Sequence, residues 1–214
     1  MYKSPNVGIF AKSNDKIVLL PHGYAETKLK KITDILEVDP IFVSIAGNRI
    51  IGPLVVLNNN GMLLPSTASE DEVLYLKHVT GLNVSKLESK LTAIGNLIST
   101  NDKGAIVSPL FKNEFDKQIS DVLGIETHTM SVADFNQTGS MIVSTNDGAA
   151  VHPKATEKEV ETISSILKVD VEPLTINGGI PYLSSGIVWN TRSLIVGSIT
   201  TGPELIMLSR AFKM

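Results

Sequence analysis

The stretch Asn-Asp-Lys-Gly-Ala-Ile-Val-Ser-Pro, residues 101–109, recurs in altered form along the whole chain. It combines a turn headed by asparagine, a short apolar run and a proline. The prolines of four such stretches are 44 residues apart, and one further step reaches Gly197. The four are Pro21, Pro65, Pro109 and Pro153. A chain of 214 residues therefore holds about five units, and an internal period of this length sets the architecture.

A second apolar run precedes each of these turns, so that two short apolar runs flank every turn. Asn, Asp and Gly are frequent at the turns, and they tolerate the positive φ that tight hairpins require. Each unit is therefore predicted to open with a β-hairpin. The turns begin near Asn14, Asn59, Asn101, Asn146 and Asn190.

A helical stretch is predicted after each proline position, with a start signal of its own. Ser69 and Glu72 have the spacing of a capping box, in which a hydroxyl and a carboxylate satisfy free backbone amides. The same spacing recurs in the fourth unit. Asn113 is predicted to cap the third helix. Pro203 suits the first turn of the fifth helix, because its missing amide donor costs nothing there.

An extended segment follows each helix, so the predicted unit is strand, turn, strand, helix, strand. The fold class is α/β, and because such a unit cannot bury a core alone, five are expected to close into a single domain. The short fifth unit must close differently, and we expect residues 211–214 to pair near the N-terminal strand. The predicted repeats span about residues 6–47, 48–95, 96–139, 140–186 and 187–214.

The composition excludes several classes of protein. A formal charge of −3 and 43% hydrophobic residues are typical of a well-packed globular chain. No run approaches the ~20 apolar residues of a membrane span, and no secretory signal precedes the first strand, so a cytoplasmic protein is expected. The absence of cysteine excludes disulfides, thiolate metal sites and cysteine nucleophiles.

No catalytic constellation is found in the sequence. The four histidines share no metal-ligand spacing, and no phosphate-binding glycine motif is present. The carboxylates in residues 70–72 and 157–161 lie at helix starts, where they favourably meet the positive end of the helix dipole. We therefore expect no enzymatic activity, no cofactor and no metal.

Nucleic acid is not the expected main partner. Proteins that bind through phosphate contacts are usually basic, whereas this chain is mildly acidic. Its densest basic patch, Lys28, Lys30 and Lys31, lies on a predicted amphipathic helix and is typical of a solvated face. If the chain binds a ribonucleoprotein, a basic protein component is the expected main contact.

Several stretches of the chain form a recognisable series from the first strand to the last residue: residues 7–12, 44–52, 91–96, 101–102, 148–154 and 204–214. In register, they resemble the signature stretches of the translation initiation factor 6 family. The chain stops after the final motif, without the tail of eukaryotic members, and so resembles the archaeal form. The resemblance implies a five-bladed, pseudo-fivefold α/β propeller, also called a pentein ring.

The resemblance also implies a function. Members bind the intersubunit face of the large (50S) ribosomal subunit and sterically prevent association with the small subunit, with roles in translation initiation and large-subunit biogenesis. The implied partner is a basic ribosomal protein near the sarcin–ricin loop of the rRNA, and a monomer without DNA or membrane partners is expected. Pentein rings also include guanidino-modifying enzymes, an alternative that the missing cysteine nucleophile disfavours.

The residues expected to contact the ribosome lie where the first strand of each unit begins, since these starts should cluster around the pseudo-axis. The strand starts select Asn6, Asn48, Arg49, Asn96, Ser140, Met141 and Ile187. The resemblance adds Pro53 and also implicates Asn6, Asn96 and Met141. Two structural alternatives stay open: Asn96 could cap a turn, and Arg49 could pair with an internal carboxylate.

Overall fold

A computed structural model describes residues 4–214, which form five small sheets and the helices between them. Short 3-10 turns lie at Val7–Ile9, Gly52–Leu54, Ile94–Asn96 and Pro109–Phe111. The strands are β1 (Lys12–Ser13), β2 (Ile17–Leu20), β3 (Asp39–Phe42), β4 (Val56–Leu57), β5 (Gly61–Pro65), β6 (Asn83–Leu87), β7 (Ile98–Thr100), β8 (Ala105–Val107), β9 (Thr127–Thr129), β10 (Ile142–Ser144), β11 (Gly148–Val151), β12 (Asp170–Pro173), β13 (Ile187–Trp189) and β14 (Leu194–Val196). The helices are α1 (Glu26–Leu36), α2 (Glu70–Thr80), α3 (Asp116–Leu123), α4 (Thr138–Met141), α5 (Glu157–Leu167), α6 (Leu183–Gly186) and α7 (Gly202–Phe212).

The sheets repeat one topology. In the first four, an antiparallel hairpin is followed by a helix and then by a third strand parallel to the second, as in β1-β2-β3. The fifth sheet consists of β13 and β14 within the described residues. The predicted order of strand, turn, strand, helix and strand is therefore confirmed in four units, and so is the five-bladed α/β ring.

The start of each unit differs from the prediction. Residues 7–10 were expected to lie in the first strand, but Val7–Ile9 forms a 3-10 turn and β1 contains only Lys12 and Ser13. A helical turn likewise precedes the first strand of every other sheet. Apolar runs of three or four residues are too short for their periodicity to separate a helical turn from a strand.

The helix signals are confirmed for α2 and α5, where Ser69 with Glu72 and Thr156 with Glu159 form capping boxes. Pro203 lies in the first turn of α7, as predicted. The prediction for Asn113 is wrong, because the N-cap of α3 is Phe115. The preceding 3-10 turn, capped by the Ser108 hydroxyl, leads into left-handed backbone at Asn113, so the helix can begin only later.

The hydrophobic core is divided into five clusters, one between each pair of neighbouring sheets. Along β2, Ile17 and Leu19 face the second sheet, whereas Val18 and Leu20 face the fifth. The central strands of the other three-stranded sheets are shared between clusters in the same alternating way. Burial on both faces explains why these strands are continuous apolar runs without polar alternation.

The first and last sheets close the ring. Val188 of β13 and Ile195 of β14 pack in one cluster with Val18 and Leu20 of β2. The Nδ2 atom of Asn177 also donates to the carbonyl oxygen of Pro5 over 3.1 Å. Residues near both ends of the chain therefore meet at this joint.

The prediction that residues 211–214 pair near the N-terminal strand is wrong. Ala211 and Phe212 instead pack against Val143 and Ala150 of the fourth sheet. Lys213 continues this contact through an ion pair of 2.9 Å with a carboxylate of β12. The reason is that α7 extends to Phe212, and its apolar face is buried in the cluster between the fourth and fifth sheets.

Around the axis, the helical turn of one unit stacks directly on that of the next. A β carbon at Gly52 would overlap the carbonyl oxygen of Gly8, one at Gly95 that of Gly52, and one at Gly139 that of Gly95. A β carbon at Gly8 would likewise overlap the carbonyl oxygen of Ser184, in the helical turn before the fifth sheet. We call these five positions the glycine ring.

At the opposite end of the axis, asparagines join the hairpin turns. The Nδ2 atoms of Asn14 and Asn58 donate to the carbonyl oxygens of Asn58 and Asn101, over 3.0 and 3.2 Å. Asn101 donates in turn to Thr145 over 2.9 Å. The Oδ1 atom of each of these asparagines accepts from its own turn, so one buried side chain shapes a hairpin and links it to its neighbour.

The glycine ring leads to a stability prediction. Gly52→Ala should lower the free energy of unfolding by about 3 kcal/mol, because the new methyl group overlaps backbone that cannot move away cheaply. Denaturant unfolding monitored by circular dichroism measures this. Gly202→Ala is the control, since a β carbon there meets nothing within 4 Å. Equal stabilities for the two variants would contradict the steric role of the ring.

Candidate functional site

The end of the axis that carries the glycine ring holds most of the predicted contact residues. Here each loop that follows a third strand runs into the helical turn of the next unit. We define the glycine-ring face as these turns with the loops that lead into them. It comprises residues 4–9, 46–53, 91–96, 133–140 and 178–185.

A cavity of about 190 Å³ opens on the axis at this face. It brings together three predicted residues from three different units, Pro53, Asn96 and Ser140. No His, Asp or Glu is among the described residues that line it, so it lacks the acid–base groups that the guanidino-enzyme alternative would need. Its other lining residues are Gly8, Ile9, Lys12, Gly52, Tyr182, Ser184, Ser185 and Trp189.

Two of the predicted contact residues do not reach the surface. Met141 is 1% exposed and Ile187 is fully buried, each in a core cluster between sheets. The expectation that they contact a partner directly is therefore wrong. Both follow the glycine-ring turns closely in sequence, but their side chains point between the sheets.

The remaining predicted residues lie on the face, and the structure excludes the structural alternative for two of them. The Asn96 side chain hydrogen-bonds to no other residue within 4–214, so it does not cap a turn. Arg49 donates from Nη2 to the carbonyl oxygen of His22 over 3.3 Å. It forms no ion pair with a carboxylate of residues 4–214. Asn48 is exposed beside it, and Asn6 is half-buried before the first helical turn.

Large apolar side chains on this face escaped the sequence analysis. Phe135 is 36% exposed and Tyr182 is 45% exposed, and their rings meet edge to face with centroids 6.3 Å apart. The sequence did contain a signal, because Leu91 and Phe135 are one repeat period of 44 residues apart. The exposed apolar residues of the face are Ile50, Leu91, Phe135, Ile180 and Tyr182.

Three of the loops begin with a tight turn that a carboxylate of the next unit holds. Ala46-Gly47 and Ala133-Asp134 have positive φ at both residues, as hairpin turns of type I′ require. The third turn is one residue longer, with positive φ at Asn177, Gly178 and Gly179. This conformation aims backbone N–H groups outward. The amide of Ala46 donates to Glu72 over 3.0 Å, and that of Ala133 to Glu159 over 2.8 Å.

The third of these contacts is the most complete. The Glu204 carboxylate accepts from the backbone amides of Gly178 and Gly179 over 3.0 and 2.8 Å, and from the Thr175 hydroxyl over 2.8 Å. It also accepts from the amide of Thr201 at the start of α7. Burial opposes the charged form, but these hydrogen bonds outweigh it and lower the pKa of Glu204 to about 2.

The opposite end of the axis is closed by a ring of alternating acids and amides. Asn59 donates from Nδ2 to Asp15 and Asp102, over 2.7 and 2.5 Å. Asn146 donates to Asp102 over 2.5 Å, and the amide of Thr191 donates to Asp15 over 2.7 Å. These polar groups satisfy one another and leave a space of only about 30 Å³. This end is therefore structural.

Two further observations bound the chemistry of residues 4–214. They contain no group of three or more His, Cys, Asp or Glu that could hold a metal ion. None of their helices combines the length and the apolar character that crossing a membrane requires.

Residues 1–211 match the eIF-6 family. The chain belongs to that family. Its relatives named translation initiation factor 6 include those of Nitrosopumilus maritimus (strain SCM1), 51% identical over 212 residues, and Cenarchaeum symbiosum (strain A), 45% identical over 212 residues. Each alignment covers 99% of this chain and 96% of the relative. The relative from Pyrococcus abyssi is 38% identical over 213 residues, 97% of this chain and 94% of that protein.

Membership of the eIF-6 family confirms the resemblance found in the sequence, including its archaeal character. The relatives are named as factors and not as enzymes, which agrees with the prediction of a non-catalytic protein. A solved structure of DDAH from Pseudomonas aeruginosa overlaps with a TM-score of 0.48 at 11% identity, covering 78% of this chain and 68% of that one.

The contacts of Glu204 predict a pH-dependent contribution to stability. Glu204→Gln should lower the free energy of unfolding at pH 7 by about 2 kcal/mol, because hydrogen bonds to a charged group are lost. The folded-state pKa is lowered, so the contribution is present above the ordinary value of 4.5 and disappears as the pH falls towards about 2.

Denaturant unfolding at several pH values tests this, and the difference between variant and wild type should shrink between about pH 5 and pH 2. Glu161→Gln is the control, since Glu161 is exposed on α5. A difference that does not change with pH would show that the Glu204 carboxylate contributes through its shape and not its charge.

Proposed function

We propose that this protein binds the large ribosomal subunit through the glycine-ring face and sterically prevents the small subunit from joining. The names of its relatives support a role in translation initiation. The exposed aromatic and aliphatic side chains of the face are the main observation that supports this face as the binding surface. We infer that it acts as a monomer in the cytoplasm and also takes part in large-subunit biogenesis.

The composition of the face supports a protein interface. Aromatic residues dominate binding energy at such interfaces when they lie near the centre of the contact. The rings of Phe135 and Tyr182 contact each other, and Tyr182 lines the axial cavity. A standard interface takes on the order of 800 Å² from each partner. That is less than a tenth of the 9551 Å² surface of this chain, so one end of the ring is large enough.

The rigidity of the face supports the same proposal. Carboxylates of neighbouring units hold three of its five loops, and the stacked helical turns fix their distances from the axis. A surface that is already ordered loses little conformational entropy when it binds. The face can therefore act by occupying space, without any chemical step.

The charge of the face favours a protein component of the subunit over rRNA. Arg49 and Asp134 are the formal charges of its five segments, and Lys12 adds one ammonium group inside the axial cavity. A surface that displaces counterions from phosphates needs several Lys or Arg residues. We therefore infer that the main contact is a ribosomal protein, which the family resemblance describes as basic and near the sarcin–ricin loop.

The decisive experiment is sedimentation with purified subunits. The protein should travel with 50S subunits in a sucrose gradient and should reduce the formation of 70S particles when 30S subunits are added. If it stays at the top of the gradient, or if subunits join equally well with it bound, the proposal fails.

Variants of the face sharpen this experiment. Asn96→Arg and Phe135→Ala should each weaken 50S binding at least tenfold, about 1.4 kcal/mol, because they obstruct the cavity mouth or remove an aromatic anchor. The melting temperature should change little, since neither side chain is fully buried. Asp147→Arg is the control, because Asp147 is exposed on a hairpin turn at the opposite end of the axis.

Salt provides a second measurement on the wild type. Binding to 50S should weaken only slightly between low and physiological salt if a protein component is the main contact. A steep loss of affinity with salt would instead assign the contact to rRNA phosphates.

A further inference from the structure

Lys12 places a cation on the axis of the ring without a carboxylate beside it. It extends from β1 into the axial cavity, where Nζ lies 4.5 Å from the centroid of the Trp189 ring. Within residues 4–214 its ammonium group forms neither an ion pair nor a hydrogen bond. A cation–π contact compensates only part of the loss of hydration.

The pKa of Lys12 also reflects the absence of a carboxylate near its ammonium group. Burial lowers the pKa of Lys12 to about 8, and no nearby carboxylate opposes that effect. The two aspartates on the axis, Asp15 and Asp102, belong to the ring at the opposite end. Trp189 lines both the small space at that end and the cavity of Lys12, so it separates the two aspartates from the ammonium group.

Three other side chains that line the cavity carry hydrogen-bond donors without a partner in the described chain. They are the amide of Asn96 and the hydroxyls of Ser140 and Ser184. Ser185 differs, because its hydroxyl already donates to the carbonyl oxygen of Tyr182 over 2.7 Å. Three units thus contribute an ammonium, an amide and two hydroxyls to one space, and no carboxylate is among the described residues that line it.

We propose that the axial cavity is a binding site for a small oxyanion, such as a carboxylate or sulfate. The ammonium of Lys12 would supply the charge, and the donors of Asn96, Ser140 and Ser184 would hydrogen-bond the oxygens. At about 190 Å³ the cavity has room for about six water molecules, which accommodates such an ion with some of its hydration. This site does not depend on ribosome binding.

Anion binding must be linked to the protonation of Lys12. An anion stabilises the ammonium form, so it raises the pKa of Lys12, and its affinity falls as the pH rises above about 8. Lys12 and the Tyr182 phenol are the titratable groups among the described residues that line the cavity. Acetate and sulfate keep a constant charge between pH 7 and pH 9.5, so a loss of their affinity reports on the protein.

The single tryptophan of the chain provides the signal, because Trp189 contacts the ammonium. Sodium sulfate and sodium acetate are titrated separately against the full-length protein, with sodium chloride holding the ionic strength constant. We expect a saturable change in Trp189 fluorescence at pH 7 and an affinity at least tenfold lower at pH 9.5. Tyr182→Phe should leave this pH dependence unchanged.

Lys12→Met removes the charge while keeping an apolar stem over the indole, and it should abolish the saturable response. Lys16→Met is the matched control, since Lys16 is exposed on the same hairpin outside the cavity, and it should bind as the wild type does. Circular dichroism verifies that both variants fold.

Three results would overturn the proposal: no saturable response in the wild type, an equal response in Lys12→Met, or an affinity that is the same at both pH values. The pH comparison uses the wild type alone, so it decides the matter even if Lys12→Met is unstable.

Discussion

The close stacking of five helical turns around the axis is the contact on which the rest of this structure depends. At four of the five positions the carbonyl oxygen of a neighbouring turn takes the space of a side chain, so glycine is required there. At the fifth position, the backbone carbonyl oxygen of Ser184 packs against Gly8, and this contact does not require residue 184 to be glycine. The distance between turns sets the width of the ring, and with it the size of the axial cavity.

The two ends of the axis use the same symmetry for different purposes. At the hairpin end, asparagine and aspartate side chains satisfy one another and leave almost no space. At the glycine-ring end, the glycines have no side chains to fill the axis, and a cavity remains. Hydrogen-bond donors without a partner in the described chain line this cavity, and exposed apolar loop residues surround it. Glutamates in the first turns of three helices also accept hydrogen bonds from the backbone of three of these loops. The same residue type therefore stabilises the helix starts and holds the surface loops in place.

The features that depend on local signals could be predicted from the sequence. The proline period, the asparagine turns and the capping boxes each lie within a few residues, and they predicted the repeated unit correctly. What the sequence did not predict depends on contacts between units. The burial of Met141 and Ile187, the second role of Glu204 and the meeting of Lys12 with Trp189 are all of this kind. Family resemblance named the expected partner, but not the aromatic pair on the face.

The joint between the first and last sheets also bears on how the chain acquires its structure. Asn190 hydrogen-bonds to Leu36 across 154 residues, and Thr191 to Asp15 across 176. On one side of the first sheet, Val188 and Ile195 of the fifth sheet complete a cluster that otherwise holds only residues of the first unit, so this side stays partly uncovered until nearly the whole chain has been synthesised. Contacts of such long range make folding slow. Until its last strands are synthesised, the nascent protein must keep this incompletely covered apolar surface from aggregating.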